Sequence, residues 1–431
     1  MSQLKNTVTA DPQIKTRIQK DTAKIPFSSY QKFVIFILAI TQFSVVLDFM
    51  VMSPMGDMLM KAFTLKPAQF GAAVSVYAFS AGISGLLTAG FADKFDRKKL
   101  LLFFYTGFIV GTFLCSIANS YEMLLVARIV TGLFGGVIGA ISLAIITDLF
   151  DIHHRGRVMG FVQMGFGASQ VLGIPFSLYL ANHWGWRAPF VLVAVMAALI
   201  LIFIFLKLKP VTGHLFKQPE RSAFQHLLHT FSKRSYRIGF LSTALLSIGG
   251  FMMMPFGSAF AINNLKITQE QLPIMFMVSG CSSLIIMPLV GRLADKMDKF
   301  TLFAIASAWM MVVVVLYTNL SATPLWLVMV FNVLMMMGIL SRMVPSSALT
   351  TAIPDIQDRG AFMSITSSLQ QIAGGIAAAS AGMIVSQKDK FSPLEHYNIL
   401  GYVLVCISLV SVSLLYRVNI LVKKKLGESR V

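Results

Sequence analysis

The sequence predicts an all-α membrane protein in which twelve transmembrane helices form two pseudo-symmetric bundles of six. Of its 431 residues, 56% are hydrophobic and only 13% are charged, whereas a soluble domain carries about 25% charged residues. Apolar runs of about 20 residues, long enough to cross a hydrocarbon core of about 30 Å, recur along the chain. A similar charged turn occurs twice, at 90–99 and at 291–299. Runs of this length without alternation indicate helices and not barrel strands.

The apolar runs define twelve spans and divide the chain into two halves. In order, spans 1 to 12 are predicted at 33–55, 70–91, 100–118, 123–149, 158–181, 188–206, 238–262, 272–290, 300–320, 325–345, 361–386 and 397–420. Each run has the length of a membrane helix. The predicted segments are an N-terminal cytoplasmic tail (1–32), an N-terminal bundle (33–206), a cytoplasmic linker (207–237), a C-terminal bundle (238–420) and a cytoplasmic tail (421–431).

The lysines and arginines indicate the orientation of the spans. The net charge is +18, and most of the 36 basic residues fall in loops on one side, with the largest group in the linker. Because basic loops stay in the cytoplasm, we expect both termini to be cytoplasmic. Residues 1–32 lack the apolar core of a signal peptide, so we expect the N-terminus to stay in the cytoplasm. We expect a multi-pass protein of the plasma membrane, the inner membrane of a bacterium. This asymmetry accounts for the net charge without a nucleic-acid partner.

Landmarks in the two halves recur at a nearly constant separation. The matched pairs are Gly90 with Gly291, Pro54-Met55-Gly56 with Pro255-Phe256-Gly257, and Arg155-Gly156 with Arg359-Gly360. Three matches at almost one separation indicate a duplicated unit. Parallel repeats of this kind place a substrate site near the membrane midplane, between the halves.

The charged turn between spans 2 and 3 resembles the cytoplasmic signature of the major facilitator superfamily. That signature runs glycine, any residue, small, aspartate, basic, any residue, glycine, arginine, basic. The matching residues are Gly90, Ala92, Asp93, Lys94, Asp96, Arg97 and Lys98, with Asp96 in place of the second glycine. The resemblance covers nearly the whole chain and implies the major facilitator fold. We expect a cytoplasmic gate, a latch between moving halves, formed by Gly90, Asp93, Arg97, Lys98, Gly291 and Asp295.

Asp48 and Arg128 are the candidate proton-coupling residues, because ionisable groups inside spans are costly and mark function. Asp48 lies about 22 Å from the start of span 1, and Arg128 lies about 8 Å from the start of span 4, which enters from the other side. These depths place the two charges at one level. A buried carboxylate beside an arginine can take up and release a proton. The alternative is a permanent ion pair that fixes span 1 to span 4. We expect Asp48 to be the only well-buried carboxylate.

Spans 4 and 5 carry further resemblances to antiporters of the family. Arg128 is followed four residues later by Gly132, as in the span 4 signature, and this implies a role for Arg128 in proton coupling. Span 5 resembles, in part, the glycine-rich antiporter signature of that helix. Its repeat of small residues before a proline predicts a close-packed seam that ends in a kink. The seam residues are Gly165, Ser169, Gly173 and Pro175.

Polar and flexible side chains within the spans are the candidates for the substrate cavity. They are Thr41, Ser44, Met52, Gln163, Gln170, Asn332, Gln370 and Gln371. The first three share one stripe of span 1 with Asp48. The glutamines could instead hold neighbouring helices together. We interpret Arg342, toward the cytoplasmic end of span 10, as a gate or anchoring residue that reaches to the membrane surface.

Together these features predict a secondary active transporter. No nucleotide-binding loop, nucleophile–base pair or metal-ligand spacing occurs in the sequence, so we expect neither an enzyme nor a cofactor. We expect proton-coupled export of a small, partly apolar compound, drug-like or sugar-like, by alternating access in a monomer. Its partners would be the substrate, protons and the lipid bilayer. One alternative is an uptake symporter or uniporter for a polar metabolite such as a sugar. The other is a membrane receptor or scaffold that transports nothing.

Overall fold

The computed structural model describes residues 27–216, 223–355 and 357–428, and nearly all of these are helical. The helices of spans 1 to 6 are, in order, Ser29–Val51, Pro67–Ala89, Arg97–Ile117, Tyr121–Leu149, the interrupted helix Ile152–Ala168, Ser169–Gly173 and Ile174–Trp184, and Ala188–Lys207. Those of spans 7 to 12 are Arg234–Phe251, Leu272–Lys296, Lys299–Thr318, Leu325–Thr351, Arg359–Ile384 and Tyr397–Glu428. Shorter helices are Gly56–Phe63, Ala223–Ser232 and Gly257–Asn263, and 3-10 turns are Ala92–Lys94, Gly213–Phe216, Met254–Phe256 and Gln269–Gln271.

Capping residues explain where three of the spans begin. Ser28 accepts a hydrogen bond from the backbone N–H of Gln31 at the start of span 1. Asp96 accepts from the N–H of Lys98 at the start of span 3, and Asp298 accepts from the N–H of Thr301 at the start of span 9. Each side chain satisfies an N–H that the helix leaves unpaired. Both copies of the charged turn therefore supply the aspartate that begins the next helix.

The structure confirms the predicted all-α membrane fold. In its described part, 11 helices are long and apolar enough to cross a membrane. The remaining predicted span is the helix Arg359–Ile384, whose sequence is rich in glycine, alanine and serine and is therefore less hydrophobic. Its small residues allow span 11 to pack closely on span 2, where a Cβ on Gly71 would lie 2.6 Å from the carbonyl oxygen of Ala378. Twelve spans are consistent with this arrangement.

Span 5 has a π-helical turn at Ser169–Gly173, which ends two residues before Pro175. Proline cannot donate the hydrogen bond that a regular helix needs, and the wider turn accommodates this. The predicted seam is present: a Cβ on Gly173 would lie 2.7 Å from Leu47 Cδ1, and one on Gly165 would overlap the carbonyl oxygen of Ala39. Ser169 is fully buried. Span 5 therefore packs against span 1 through its small residues.

Gly165→Ala should lower the free energy of unfolding by about 1–3 kcal/mol, because the added methyl group has no room against span 1. Gly160→Ala is the matched control, since Gly160 lies in the same helix and a Cβ there would meet no atom within 4 Å. The control should be neutral or slightly stabilising, because alanine favours helix more than glycine does. Thermal unfolding in detergent measures both variants. Equal effects would contradict the seam.

The two halves are joined at the face opposite the helix ends Ser29 and Glu428, which we call the opposite face. Pairs of described residues form these hydrogen bonds between the halves: Asn263 Nδ2 to Asp57 Oδ1 at 2.7 Å, Ser258 Oγ to Ser53 O at 2.9 Å, Asn182 Nδ2 to Gln269 O at 2.9 Å, Lys390 Nζ to Lys61 O at 3.1 Å and, deeper, Ser75 Oγ to Gly375 O at 2.8 Å. The conformation is therefore closed at the opposite face.

A cluster around Asp358 holds the C-terminal half together at the terminal face, the one that carries the helix ends Ser29 and Glu428. Lys233 Nζ donates to Asp358 Oδ2 at 2.6 Å, Tyr236 Oη donates to the same oxygen at 2.8 Å, and His226 Nε2 lies 2.9 Å from Oδ1. Burial by itself would raise the pKa of the Asp358 carboxyl, but these hydrogen bonds hold the pKa well below its usual range. The helix Ala223–Ser232 is thereby tied to the start of span 11.

Asp358→Asn should destabilise the protein at pH 7 by about 1–3 kcal/mol, because it removes a hydrogen-bonded buried charge. The pKa of Asp358 is lower in the folded than in the unfolded protein. Its contribution is therefore complete above the unfolded pKa of about 4 and is lost as the pH falls further toward the folded value. Unfolding measured from pH 7 to pH 3 should show the wild-type advantage shrinking below about pH 4. A difference that is constant with pH would contradict this assignment.

Candidate functional site

Asp48 and Arg128 form an ion pair inside the N-terminal half. Arg128 Nη1 lies 2.9 Å from Asp48 Oδ2, and the two side chains are 1% and 0% exposed. Thr112 of span 3 donates to the other carboxylate oxygen at 3.1 Å. The charges lie at one level of the bundle, as their positions in the sequence predict. Both carboxylate oxygens thus have a donor, which compensates in part for the cost of burying the charge.

An aromatic layer lies beside this ion pair. The guanidinium carbon of Arg128 is 4.4 Å from the centre of the Tyr77 ring. Phe49, which follows Asp48 in the chain, has its ring 5.2 Å from that of Tyr77 and 6.1 Å from that of Phe251 in the other half. A cation over an aromatic face is stabilised by the ring's quadrupole. The layer connects the ion pair to the boundary between the halves.

A small cavity lies at that boundary, next to Phe49. Its volume is about 10 Å³, the space that one water requires. It is lined by Phe49, Val74, Ala78, Phe251, Met254, Pro255, Gln371, Gly374 and Ala378. The lining is almost entirely apolar, and Gln371 supplies its one polar side chain. Both halves contribute, so relative movement of the halves would enlarge or close this space.

Of the predicted cavity residues, only Gln371 lines this cavity. In this conformation Thr41, Ser44 and Met52 are fully buried within the N-terminal bundle and do not line this cavity. Thr41 Oγ1 donates to the carbonyl of Ile37, and Ser44 Oγ lies 2.8 Å from Tyr105 Oη of span 3. Their stripe of span 1 faces spans 3 and 4 and not the other half. Because the stripe faces span 4, it also places Asp48 next to Arg128.

The remaining candidates are dispersed. Gln163 and Gln370 are exposed on their helices, and Gln170 Nε2 approaches Met50 Sδ at 4.0 Å. Asn332 Nδ2 donates to the carbonyl of Val328 in its own helix, at 2.9 Å. In this conformation none of the four lies at the cavity, and the structure does not bring them together.

The charged turn ties together parts of the N-terminal half. Arg97 Nε lies 3.3 Å from Asp148 Oδ2 at the end of span 4, and Lys98 Nζ donates to the carbonyl of Phe205 at the end of span 6. Asp96 accepts from the N–H of Val211 at the start of the linker. These three contacts lie within one half and the adjoining linker. In this conformation these contacts fasten spans 3, 4 and 6 to the linker, and the latch between the halves stays a prediction.

The other gate residues contribute less. The side chain of Asp93 lies outside the described part of the structure, and the turn that follows Gly90 is the 3-10 segment Ala92–Lys94. In the second copy, Asp295 is exposed and a Cβ on Gly291 would meet no atom within 4 Å. Gly291 is therefore not needed for a close approach of backbones in this conformation.

Asp57 is a buried carboxylate that we did not expect, and it corrects the assignment of Asp48 as the only one. Asp57 is 2% exposed and also pairs with Lys61 at 2.7 Å. Asp358 is likewise buried. The sequence contained a signal for the burial of Asp57. Asp57 and Ser258 directly follow the repeated turns Pro54-Met55-Gly56 and Pro255-Phe256-Gly257. These turns meet: a Cβ on Gly56 would lie 2.9 Å from the carbonyl oxygen of Pro255.

Asn263→Ala should favour opening at the opposite face, because it removes the hydrogen bond to Asp57 that joins the halves. Loss of a hydrogen bond to a charged group corresponds to about a tenfold or larger shift in population. The rate at which a membrane-impermeant thiol reagent labels a Met254→Cys background measures the opening. Asn264→Ala is the matched control, since Asn264 Nδ2 binds Leu394 O within one half. Equal labelling rates would contradict the role of the Asp57–Asn263 contact.

Comparisons with known proteins agree on one family. The profile of the family described as Major Facilitator Superfamily matches residues 38–419. The chain is 24% identical over 353 residues, 81% of its length, to 88% of YbcL, an uncharacterized MFS-type transporter of Bacillus subtilis strain 168. It is 25% identical over 241 residues, 56% of its length, to 60% of a probable sugar efflux transporter of Helicobacter acinonychis strain Sheeba. A D-xylose-proton symporter structure, 18% identical, aligns over 89% of this chain and 97% of that one with a TM-score of 0.72, which shows a shared fold.

Proposed function

The chain belongs to the major facilitator superfamily, and we propose that it is a proton-coupled exporter of a small, partly apolar compound. It is a multi-pass membrane protein and a transporter, not an enzyme. We assign the terminal face to the cytoplasm and the opposite face to the outside, because of the distribution of basic residues. We place the protein in a bacterial inner membrane, as a monomer.

The observation that carries the proposal is the Asp48–Arg128 ion pair behind the wall of the cavity. Phe49 is adjacent to Asp48 in the chain and lines the cavity itself. A rearrangement of the ion pair could therefore change the shape of the cavity between the halves by moving one residue, Phe49. This placement supports coupling more than a purely structural pair, which would need no contact with the cavity.

The geometry supports a direction for the proton. In the conformation closed at the opposite face, Arg128 and Thr112 both stabilise the charged carboxylate of Asp48. We infer that Asp48 gives up its proton toward the cytoplasm in this conformation, because these two contacts offset part of the cost of burying its charge. When the opposite face opens, water can reach Arg128, and Asp48 can take a proton from outside. Export of cargo in exchange for that proton completes the cycle by alternating access.

The cavity lining favours a partly apolar cargo. Phe49, Phe251 and Met254 offer flexible or aromatic surface, while Gln371 offers one hydrogen-bonding group. The name of the Helicobacter relative, a probable sugar efflux transporter, supports export as the direction. The alternative is an uptake symporter. It would use the same ion pair, but cargo and proton would move in the same direction across the membrane.

The sign of the luminal pH change during cargo efflux tests the proposal. Proteoliposomes with an internal pH dye are loaded with D-glucose, or with ethidium as an apolar cation, and diluted into cargo-free buffer. An antiporter admits protons as cargo leaves, so the lumen should become more acidic. Luminal alkalinisation would identify a symporter, and cargo efflux without a pH change would identify a uniporter. Because cargo and proton are compared directly, the result does not depend on protein orientation.

A further inference from the structure

Arg342 of span 10 is a buried cation without a counter-charge in the described part of the chain. It is 5% exposed, and its Nε and Nη2 atoms are buried with no hydrogen-bond partner among the described residues. The salt bridges of the described residues include none to Arg342. This differs from Arg128, whose charge is matched by Asp48. A guanidinium stays charged in proteins, so its burial without an acceptor is costly.

The side chain points into the C-terminal bundle and not toward the membrane surface, which corrects its assignment as an anchoring residue. Leu334, Gly338 and Arg342 are spaced four residues apart and face span 9. Trp309 Nε1 donates to Leu334 O, Met310 lies against Gly338, and the Phe303 ring centre is 5.5 Å from the guanidinium carbon of Arg342. The stripe therefore places Arg342 between spans 9 and 10.

The two unpartnered nitrogens define what can bind. The N–H groups of Nε and Nη2 point from the same edge of the guanidinium plane, and together they match the two oxygens of a carboxylate. The ring of Phe303 covers the guanidinium and offers an apolar surface to the rest of a ligand. Ser307, one helical turn from Phe303, has a buried hydroxyl that also has no partner. Because the Arg342 guanidinium carries one positive charge, a ligand with one negative charge would neutralise it.

We propose that Arg342 binds the carboxylate of the cargo, and that the cargo is an organic monoanion with an apolar or aromatic body. This inference rests on the proposed transport function and names the substrate class. Arg342 lies nine residues before Thr351, roughly 13 Å from the end of the helix at the terminal face. The conformation closed at the opposite face can be loaded only from the terminal side. An anion that enters from the cytoplasm would therefore pass the level of Arg342 before it reaches the level of the central cavity.

Binding to purified protein tests the site directly. The probe is hippurate, an aromatic monocarboxylate, and hippuramide is its neutral analogue. Hippurate should raise the unfolding temperature of the wild type and of Arg417→Gln, which alters an exposed arginine in the same half. It should have no effect on Arg342→Gln. Arg342→Lys should bind about tenfold more weakly, since an ammonium cannot form the paired hydrogen bonds.

Three results would overturn the site. Hippuramide could stabilise the wild type as well as hippurate does, which would exclude charge recognition. Chloride or phosphate could match hippurate, which would indicate a site for an inorganic anion. The third such result is that neither hippurate nor octanoate, an aliphatic monocarboxylate, raises the unfolding temperature of the wild type. A further check needs no ligand: Arg342→Gln should unfold at the same or a higher temperature than the wild type, because it removes an unpaired buried charge. A large decrease would show that the protein itself supplies a partner.

Counterflow then tests whether the bound anion is cargo. Proteoliposomes filled with unlabelled hippurate should accumulate labelled hippurate at pH 7.5, and Arg342→Gln should reduce this at least tenfold. Binding without counterflow would overturn the assignment as cargo. The failure of this inference and that of the proposed function can be distinguished. Proton-coupled ethidium efflux without hippurate binding would remove only the Arg342 site. Net hippurate efflux into hippurate-free buffer without any luminal pH change would remove only the proton coupling.

Discussion

Arg128→Gln is expected to lower the free energy of unfolding by about 3–5 kcal/mol. Asp48 would remain as a buried carboxylate with Thr112 as its remaining side-chain donor, and an uncompensated buried charge is strongly destabilising. The stacking of the guanidinium on Tyr77, at 4.4 Å, would also be lost. Chemical or thermal unfolding in detergent measures the change. Arg417→Gln, at an exposed site, should alter stability by no more than about 0.5 kcal/mol.

The double variant Asp48→Asn with Arg128→Gln isolates the interaction between the two charges. Both charges are then absent, and the amide groups can hydrogen-bond in their place. The double variant should therefore be more stable than Arg128→Gln alone, with a coupling energy of about 1 kcal/mol or more. If the two single effects simply added, the side chains would not be paired in the folded protein, and the site would have to be described differently.

The sequence predicted the parts of the fold that depend on one helix at a time. Span lengths follow from the width of a bilayer, and the paired depths of Asp48 and Arg128 follow from the fixed rise of a helix. The seam at Gly165 and Gly173 follows from the spacing of small residues. The π-helical turn before Pro175 was not specified, because proline predicts a disturbed helix but not which irregular turn relieves it.

What the sequence leaves open is which neighbour a helix face meets. Thr41 and Ser44 share a stripe with Asp48, but the sequence does not say whether that stripe faces the cavity or the bundle interior. The charged turn predicts a cytoplasmic loop, yet its partners Asp148, Phe205 and Val211 lie far away in the chain. Asp57 is buried only because the two halves meet at the opposite face, and such burial depends on tertiary contacts.

Asp48→Asn is expected to abolish coupled proton movement, the second large effect. Asparagine has nearly the shape of aspartate and can accept a hydrogen bond from Thr112, but it cannot bind and release a proton at this site. Cargo could still move down its own gradient, because no residue of the cavity lining is changed. The variant would behave as a uniporter. Should Asp48→Asn fold poorly with Arg128 unpaired, the double variant with Arg128→Gln lacks both charges and makes the same prediction.

The most direct measurement is the proton flux that accompanies cargo efflux from proteoliposomes containing wild type, Asp48→Asn or Asp389→Asn. Asp389 is an exposed carboxylate between spans 11 and 12 and serves as the matched control. Our account predicts luminal acidification with the wild type and with Asp389→Asn, and cargo efflux without acidification with Asp48→Asn. Equal proton flux through the wild type and Asp48→Asn would contradict it, and would leave the Asp48–Arg128 pair as a permanent structural contact between spans 1 and 4.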